Sequence, residues 1–203
     1  MTAADTTIVH LVRHGEVYNP RKILYGRMPG YHLSSRGRSM AAATAKFFAG
    51  RDVAYLAASP LERAQETAEP IAAVTGCEVH TCEEIVEAGN TFEGLRTKGW
   101  RSQLFNPIRW RYMTNPAKPS WGEPYEEIWA RMQVALQRAR AQAAGREAVL
   151  VSHQLPIVMV QRAVQGKPLR HMSRECDLAS VTSLVFDGDD VIDWTYSTPA
   201  AHI

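Results

Sequence analysis

The sequence predicts a three-layer α/β fold, a mostly parallel central sheet flanked by helices. Three observations predict it. Apolar runs of strand length, Ile8–Val12, Val53–Ala58 and Ala148–Ser152, each stop at a cluster of polar residues. A segment of helical length follows each run before the next strand begins. The last such helix is followed by two short apolar runs around Asp187-Gly188-Asp189-Asp190, which reads as a hairpin closing the sheet. With 203 residues, 45% of them hydrophobic, the chain suffices for one domain, 1–203, with a sizeable core.

The elements follow in order. After the first strand a polar loop rich in Gly and Pro runs from Gly15 to Leu33. Ser34 or Ser35 suits the N-cap of an Ala-rich helix from about Arg36 to Ala49, and Gly50 suits its stop. The second strand, Val53–Ala58, leads to Pro60, which fits a first helical turn. That helix runs to about Val74 and ends at Gly76, and Glu78–Cys82 reads as a short strand. Residues 84–124 are less regular, with Trp100, Trp110, Trp121 and Pro107, Pro116, Pro119, and read as a lid-like excursion holding one short helix from about Trp100 to Trp110. A long helix from about Tyr125 to Ala144 carries Ile128, Met132, Ala135, Leu136 and Ala139 on one face. Strand Ala148–Ser152, a helix from about Leu155 to Val164, and the hairpin Val181–Phe186 with Val191–Trp194 complete the domain. Residues 197–203 read as a loose C-terminal tail.

Composition excludes several classes of function. The net charge of +2 makes no electrostatic case for nucleic acid or a membrane surface. Cys77, Cys82 and Cys176 form no Cys-x-x-Cys, and no histidine near them has zinc-ligand spacing, so they read as reduced thiols of a cytoplasmic protein. The N-terminus lacks the basic stretch and apolar run of a signal peptide, and no apolar run has membrane-spanning length. Edge strands or the aromatic-rich excursion could support a homodimer.

The chemistry gathers where the strands end. Ligands of open α/β sheets bind beyond the strand carboxyl ends. Arg13-His14-Gly15 follows the first strand, Ser59-Pro60-Leu61-Glu62-Arg63-Ala64-Gln65-Glu66-Thr67-Ala68 the second, and Ser152-His153-Gln154 the third long run. Arg13, Arg63 and His153 would thus bring two guanidinium forks and a ring N–H from three separate segments to one place. That is the equipment for gripping a phosphate, whose transfer depends on positioning and fixed positive charge. His14 beside them is a nucleophile when neutral, and guanidinium neighbours should lower its pKa to keep it so. Its second ring nitrogen should donate to a backbone carbonyl, which selects the tautomer. Gly15 would let the backbone turn and approach the ligand.

Together with Glu87-Ala88-Gly89 and Phe92-Glu93-Gly94, these blocks resemble, in order, the pattern of the histidine phosphatase superfamily, the phosphoglycerate-mutase-like enzymes with their Arg-His-Gly motif. The resemblance covers roughly Thr7 to Val160. It implies a phosphoglycerate-mutase-like sandwich and a metal-independent phosphatase that hydrolyses small phosphomonoesters through a phosphohistidine on His14, with no cofactor. A cofactor-dependent phosphoglycerate mutase is the alternative, and a phosphate-binding module without turnover a third reading. The 65 residues between Glu87 and His153 are fewer than in the mutases, and a shorter cover exposes the phosphoenzyme to water.

The resemblance also implies a carboxylic acid to protonate the leaving group. Glu87 matches best, but its spacing to Gly94 is one residue short of the family's, so Glu83, Glu84 and Glu93 are rivals. Asn19 arrives one position early in the first block, as either a phosphate donor or a turn residue before Pro20. Gln154 stands where the family has Gly, as either a substrate contact or a helix-start residue. Arg27, with Arg21 and Tyr25 in the loop after His14, reads as a contact to the non-phosphate part of the substrate or as a solvated arginine. Gly122-Glu123-Pro124 departs from the family's Gly-Glu-Ser before the long helix.

Overall fold

A computed structural model describes residues 6–96, 122–170 and 175–203. The elements are β1 (Thr6–Arg13), α1 (Ser35–Phe48), β2 (Val53–Ala58), α2 (Glu62–Thr75), β3 (Val79–Thr81), α3 (Tyr125–Ala143), β4 (Glu147–Ser152), α4 (Gln154–Val164), β5 (Val181–Asp187) and β6 (Asp190–Ser197). They build one six-stranded sheet in the order β3-β2-β4-β1-β5-β6. The pairs from β3 to β1 are parallel, and β5 and β6 add antiparallel neighbours at one side. The fold is the predicted α/β sandwich.

Strand alternation sorts the core into two layers. Val9 and Leu11 of β1, with Ala148 and Leu150 of β4, pack under α3 and α4. Val12, Val149 and Val151 face the other way, onto Ala45 and Phe48 of α1 and Ala64, Ala68 and Ile71 of α2. Both faces of β1 and β4 are therefore covered, which is why these strands read as nearly continuous apolar runs. His10 interrupts β1 without exposing it, because its ring bonds Ser183 Oγ (2.8 Å) and Glu147 Oε2 (2.9 Å).

The helix ends follow local chemistry. Ser34 caps α1 by accepting the Gly37 N–H, and Gly76 closes α2 with φ +73. Pro60 is not in the first turn of α2, because Leu61 is still extended and the helix starts at Glu62. The Ser59-Pro60-Leu61 corner is held instead by Gln65 Nε2, which donates to the Ser59 carbonyl (2.8 Å). The short helix expected at Trp100–Trp110 lies outside the described residues.

One expectation is overturned. Residues 197–203 are not a loose tail. Ala200 is buried against Met40 and Ala179, and Ile203 packs beside them. The Ile203 backbone oxygen accepts from Arg36 Nε at 3.0 Å. Small apolar residues sealing the N-terminal half of α1 hold the segment down, which a reading of its polarity could not reveal. Among the described residues, no helix is long and apolar enough to cross a membrane.

Candidate active site

The parallel strands β1, β2 and β4 end side by side, and each hands a polar residue to the same crevice. His14 N–H donates to the Ser152 carbonyl (3.1 Å), Ser59 N–H to the Val151 carbonyl (3.0 Å), and Arg13 N–H to the Ser180 carbonyl (3.1 Å). The loop leaving β1 is pressed onto the start of α1. A Cβ at Gly15 would stand 2.6 Å from the Gly37 carbonyl oxygen, closer than atoms pack, so the residue has to be glycine. Thr67 of α2 then accepts the Gly15 N–H at 3.1 Å.

His14 is almost fully buried. Its Nδ1 lies 2.8 Å from the Gly15 carbonyl oxygen, and a carbonyl only accepts, so Nδ1 carries the proton. Nε2 keeps its lone pair. Burial, then the charges of Arg63 and Arg13, push the ring's pKa well below the ordinary histidine value, against a smaller upward pull from the Gly15 bond. The ring is held toward its neutral form with Nε2 free.

His153 lies beside it, the ring centroids 5.1 Å apart. Its Nε2 is 2.7 Å from Ser59 Oγ. That hydroxyl also accepts the Leu61 N–H at 3.4 Å. Where it donates to His153 Nε2, the ring proton stands on Nδ1, a buried atom with no partner among the described residues. Burial, followed by the His14, Arg63, Arg131 and Arg13 charges, lowers this ring's pKa as well.

Arg63 is fully buried. Nη2 donates to the Gly26 carbonyl (2.7 Å), and the guanidinium carbon sits 4.9 Å over the Tyr25 ring. Among the described residues its Nε and Nη1 have no partner, and neither has Arg13 Nε, although Arg13 Nη1 donates to the Cys176 carbonyl. Buried polar groups are rarely left unpaired. Among the described residues, four such nitrogens, from Arg13, Arg63 and His153, stand near one imidazole. Among the described residues, no three His, Cys, Asp or Glu side chains cluster as metal ligands.

Glu87 follows β3 and a short 3₁₀ turn, Glu83–Ile85. Its Oε1 accepts the Ala88 N–H at 2.8 Å. Its charge is felt by Arg63, Tyr25 and Cys176. The rivals are engaged differently. Glu84 is held by both outer nitrogens of Arg138, a pairing that draws its pKa down to about 2 and keeps it ionised. Glu93, whose charge also reaches Arg63, accepts the Arg27 N–H on Oε1 at 3.0 Å, and Glu83 is exposed.

Residues 9–195 match the family model described as the histidine phosphatase superfamily, branch 1. The chain belongs to that superfamily. It is 51% identical over 199 residues to the uncharacterized protein Rv0525 of Mycobacterium tuberculosis, covering 97% of this chain and 98% of that one. It is 28% identical over 182 residues to a Photorhabdus laumondii protein named "Probable phosphoglycerate mutase GpmB", covering 85% and 83%. The solved mycobacterial glucosyl-3-phosphoglycerate phosphatase Rv2419c superposes with a TM-score of 0.73 at 23% identity, over 95% of this chain and 98% of that one, which is a likeness of fold.

Three residues of this histidine phosphatase superfamily member are used differently from the substrate contacts expected of them. Asn19 closes its own loop, with Nδ2 donating to the Ile23 carbonyl (2.8 Å) and Oδ1 accepting the Ile23 N–H (3.3 Å), as a turn residue does. Arg27 is a brace, with Nε donating to the Glu87 carbonyl (2.6 Å) and Nη2 to Glu123 Oε2 (2.8 Å). Gln154 opens α4 and reaches the Cys176 carbonyl at 3.4 Å, the acceptor that Arg13 also uses. It therefore belongs to the wall behind Arg13. Sequence reasoning missed Ser59 and Thr67, although both stand in the Ser-Pro-Leu block, because their partners, His153 and Gly15, are 94 and 52 residues away in the chain. It also missed Ala179, whose N–H donates to the His14 carbonyl (3.3 Å) from a left-handed backbone with φ +56.

Proposed function

We propose that the protein is a metal-independent phosphatase that hydrolyses small phosphomonoesters through a phosphohistidine on His14. The observation that carries this reading is the set of four buried nitrogens without a partner among the described residues, Arg13 Nε, Arg63 Nε and Nη1, and His153 Nδ1, near His14, whose Nε2 is free. Burying positive charge without a partner is costly, and an anion with several oxygens is the partner that would offset it. A phosphate dianion has the charge and the acceptors.

In the first step His14 Nε2 attacks phosphorus as the ester P–O bond breaks. The guanidinium groups and His153 take the charge of the equatorial oxygens. Glu87, protonated beside the bound dianion, gives its proton to the departing alkoxide. In the second step Glu87, now a carboxylate, takes a proton from water as the water attacks phosphorus, and the N–P bond breaks to release inorganic phosphate and neutral His14. Arg63 does two jobs at once, because the loop carbonyl of Gly26 that orients it belongs to the same loop whose Arg27 braces Glu87.

The name of the Photorhabdus relative favours a second reading, a cofactor-dependent phosphoglycerate mutase. The two share the first step and differ in the fate of the phosphoenzyme. The test is phosphate release from p-nitrophenyl phosphate and a panel of natural monoesters in excess EDTA, with wild type beside His14→Ala. We expect release that survives EDTA and is lost in the variant, with an acid-labile phosphoryl group trapped on His14. Release lost to EDTA, or unchanged in His14→Ala, overturns the reading. Isomerisation of 3-phosphoglycerate that requires 2,3-bisphosphoglycerate, without net phosphate release, selects the mutase.

A further inference from the structure

The segment that carries Glu87 has left the sheet, since β3 ends at Thr81. Ile85 anchors its start in the core, where its carbonyl accepts from Ser152 Oγ (2.7 Å), and the polar contacts beyond that converge on one partly buried carboxylate, Glu123. Its Oε1 accepts from Arg131 Nε (2.8 Å). Its Oε2 accepts from Arg27 Nη2 (2.8 Å), Arg131 Nη2 (3.2 Å) and the Gly89 N–H (3.4 Å). Its own N–H donates to the Gly89 carbonyl (3.1 Å). The two arginines reach it from different elements, Arg27 from the loop after β1 and Arg131 from α3. Each sends another nitrogen to the acid-bearing segment, Arg27 Nε to the Glu87 carbonyl and Arg131 Nη1 to the Glu84 carbonyl. The segment is thus gripped at Glu84, Glu87 and Gly89, and the acid's own backbone is the middle point.

A bidentate, charge-assisted grip of this kind holds direction as well as distance. A general acid needs both, because its proton must lie within hydrogen-bond reach of the leaving oxygen, and a misplacement of about 1 Å can cost about a hundredfold in rate. We propose that Glu123 is a positioning residue for proton transfer: by clamping Arg27 and Arg131 on either side of the acid-bearing segment, it sets where the Glu87 carboxyl stands. The inference rests on Glu87 being the acid, as proposed above. It also accounts for Arg27, which reads from sequence as a substrate contact or a solvated arginine and is instead laid along the segment.

Leaving-group chemistry separates this role from a merely structural one. The rate constant kcat/KM reports phosphoryl transfer to His14, free of the later hydrolysis step. Dinitrophenolate leaves without a proton, whereas the alkoxide of glycerol phosphate needs one. Glu87→Gln should lose about a hundredfold or more in kcat/KM on glycerol phosphate and little on dinitrophenyl phosphate. Glu123→Gln should follow it in kind, about tenfold down on glycerol phosphate and nearly unchanged on dinitrophenyl phosphate. Arg27→Met, on a more exposed side chain, should show the same selectivity and decides the matter if Glu123→Gln does not fold. Equal losses on both esters, or none, in these variants while Glu87→Gln is selective overturn the role of Glu123 alone. A Glu87→Gln without selectivity overturns the acid assignment and this inference with it.

Discussion

The two sides of the crevice are built by different means. The proposed nucleophile side, Arg13, His14, Arg63 and His153, hangs from strand ends and a helix whose apolar faces are buried, and the side chains of His14, Arg63 and His153 are buried too. The acid side, from Glu84 to Leu95, sets Ile85 and Ala88 in the core, but the rest of its hold is partly exposed ion pairs and turns, such as the bonds of Leu24 N–H to the Leu95 carbonyl and Gly94 N–H to the Leu24 carbonyl (both 2.8 Å). Close-packed cores scarcely shift, whereas hydrogen-bonded loops can be re-aimed by one side chain. On the proposed mechanism, phosphate capture is set by the core of the protein, and protonation of the leaving group by a more superficial network of charges.

The comparison can be broken from either side. The largest effect should come from Arg63→Met, which keeps the buried volume but removes two phosphate donors. We expect a loss of about 10²- to 10³-fold in kcat/KM on every ester, whatever the leaving group. A loss confined to alkyl phosphates would put Arg63 on the acid side and dissolve the distinction.

Next is Ser59→Ala. Without the hydroxyl, His153 Nε2 loses the donor that holds the ring proton on Nδ1. We expect kcat/KM to fall between about ten- and a hundredfold, the range for groups that hold a histidine tautomer, with Ser59→Thr restoring most of it. Nitrogen NMR of the His153 ring checks the cause directly. Wild type should carry the proton on Nδ1, and an Nε2-protonated ring would refute the argument.

The buried pair of histidines should also show in stability. Both folded-state pKa values lie below the unfolded value near 6.5, so below that pH the unfolded chain binds protons that the folded one refuses. Their contribution is intact above pH 6.5 and lost as pH falls toward the folded values. The slope approaches about 1.4 kcal/mol per pH unit for each ring that stays neutral. His32, raised by its bond to Glu66 at the surface, acts in the opposite sense, so the urea midpoint is best followed from pH 7.5 to 5 in His32→Gln. A midpoint that stays flat would mean the rings are not held neutral.

The smallest effect should come from Glu84→Gln. Glu84 pairs with Arg138 on the exposed flank of α3, and such pairs contribute roughly 0–1 kcal/mol. We expect unchanged kcat/KM on both ester types and a shift in unfolding free energy within that range. A selective loss on alkyl phosphates would return Glu84 to candidacy as the acid.

The sequence by itself determined the sheet, its flanking helices and the four residues of the nucleophile side. Those residues sit next to apolar runs whose length and burial are written locally, so strand ends can be located and the polar residues after them assigned to one crevice. Only the tertiary structure separates the candidate acids. Glu87, Glu84 and Glu93 are alike in sequence, and they differ through partners brought from far along the chain, Arg138, Arg27 and Glu123. Arg27 shows the reason most plainly. Its guanidinium is tied down by acceptors 60 and 96 residues away, and a side chain that long goes where its charge is best met, which no local pattern records. The docked C-terminal segment was equally illegible, because what holds Ala200 is the surface it lands on.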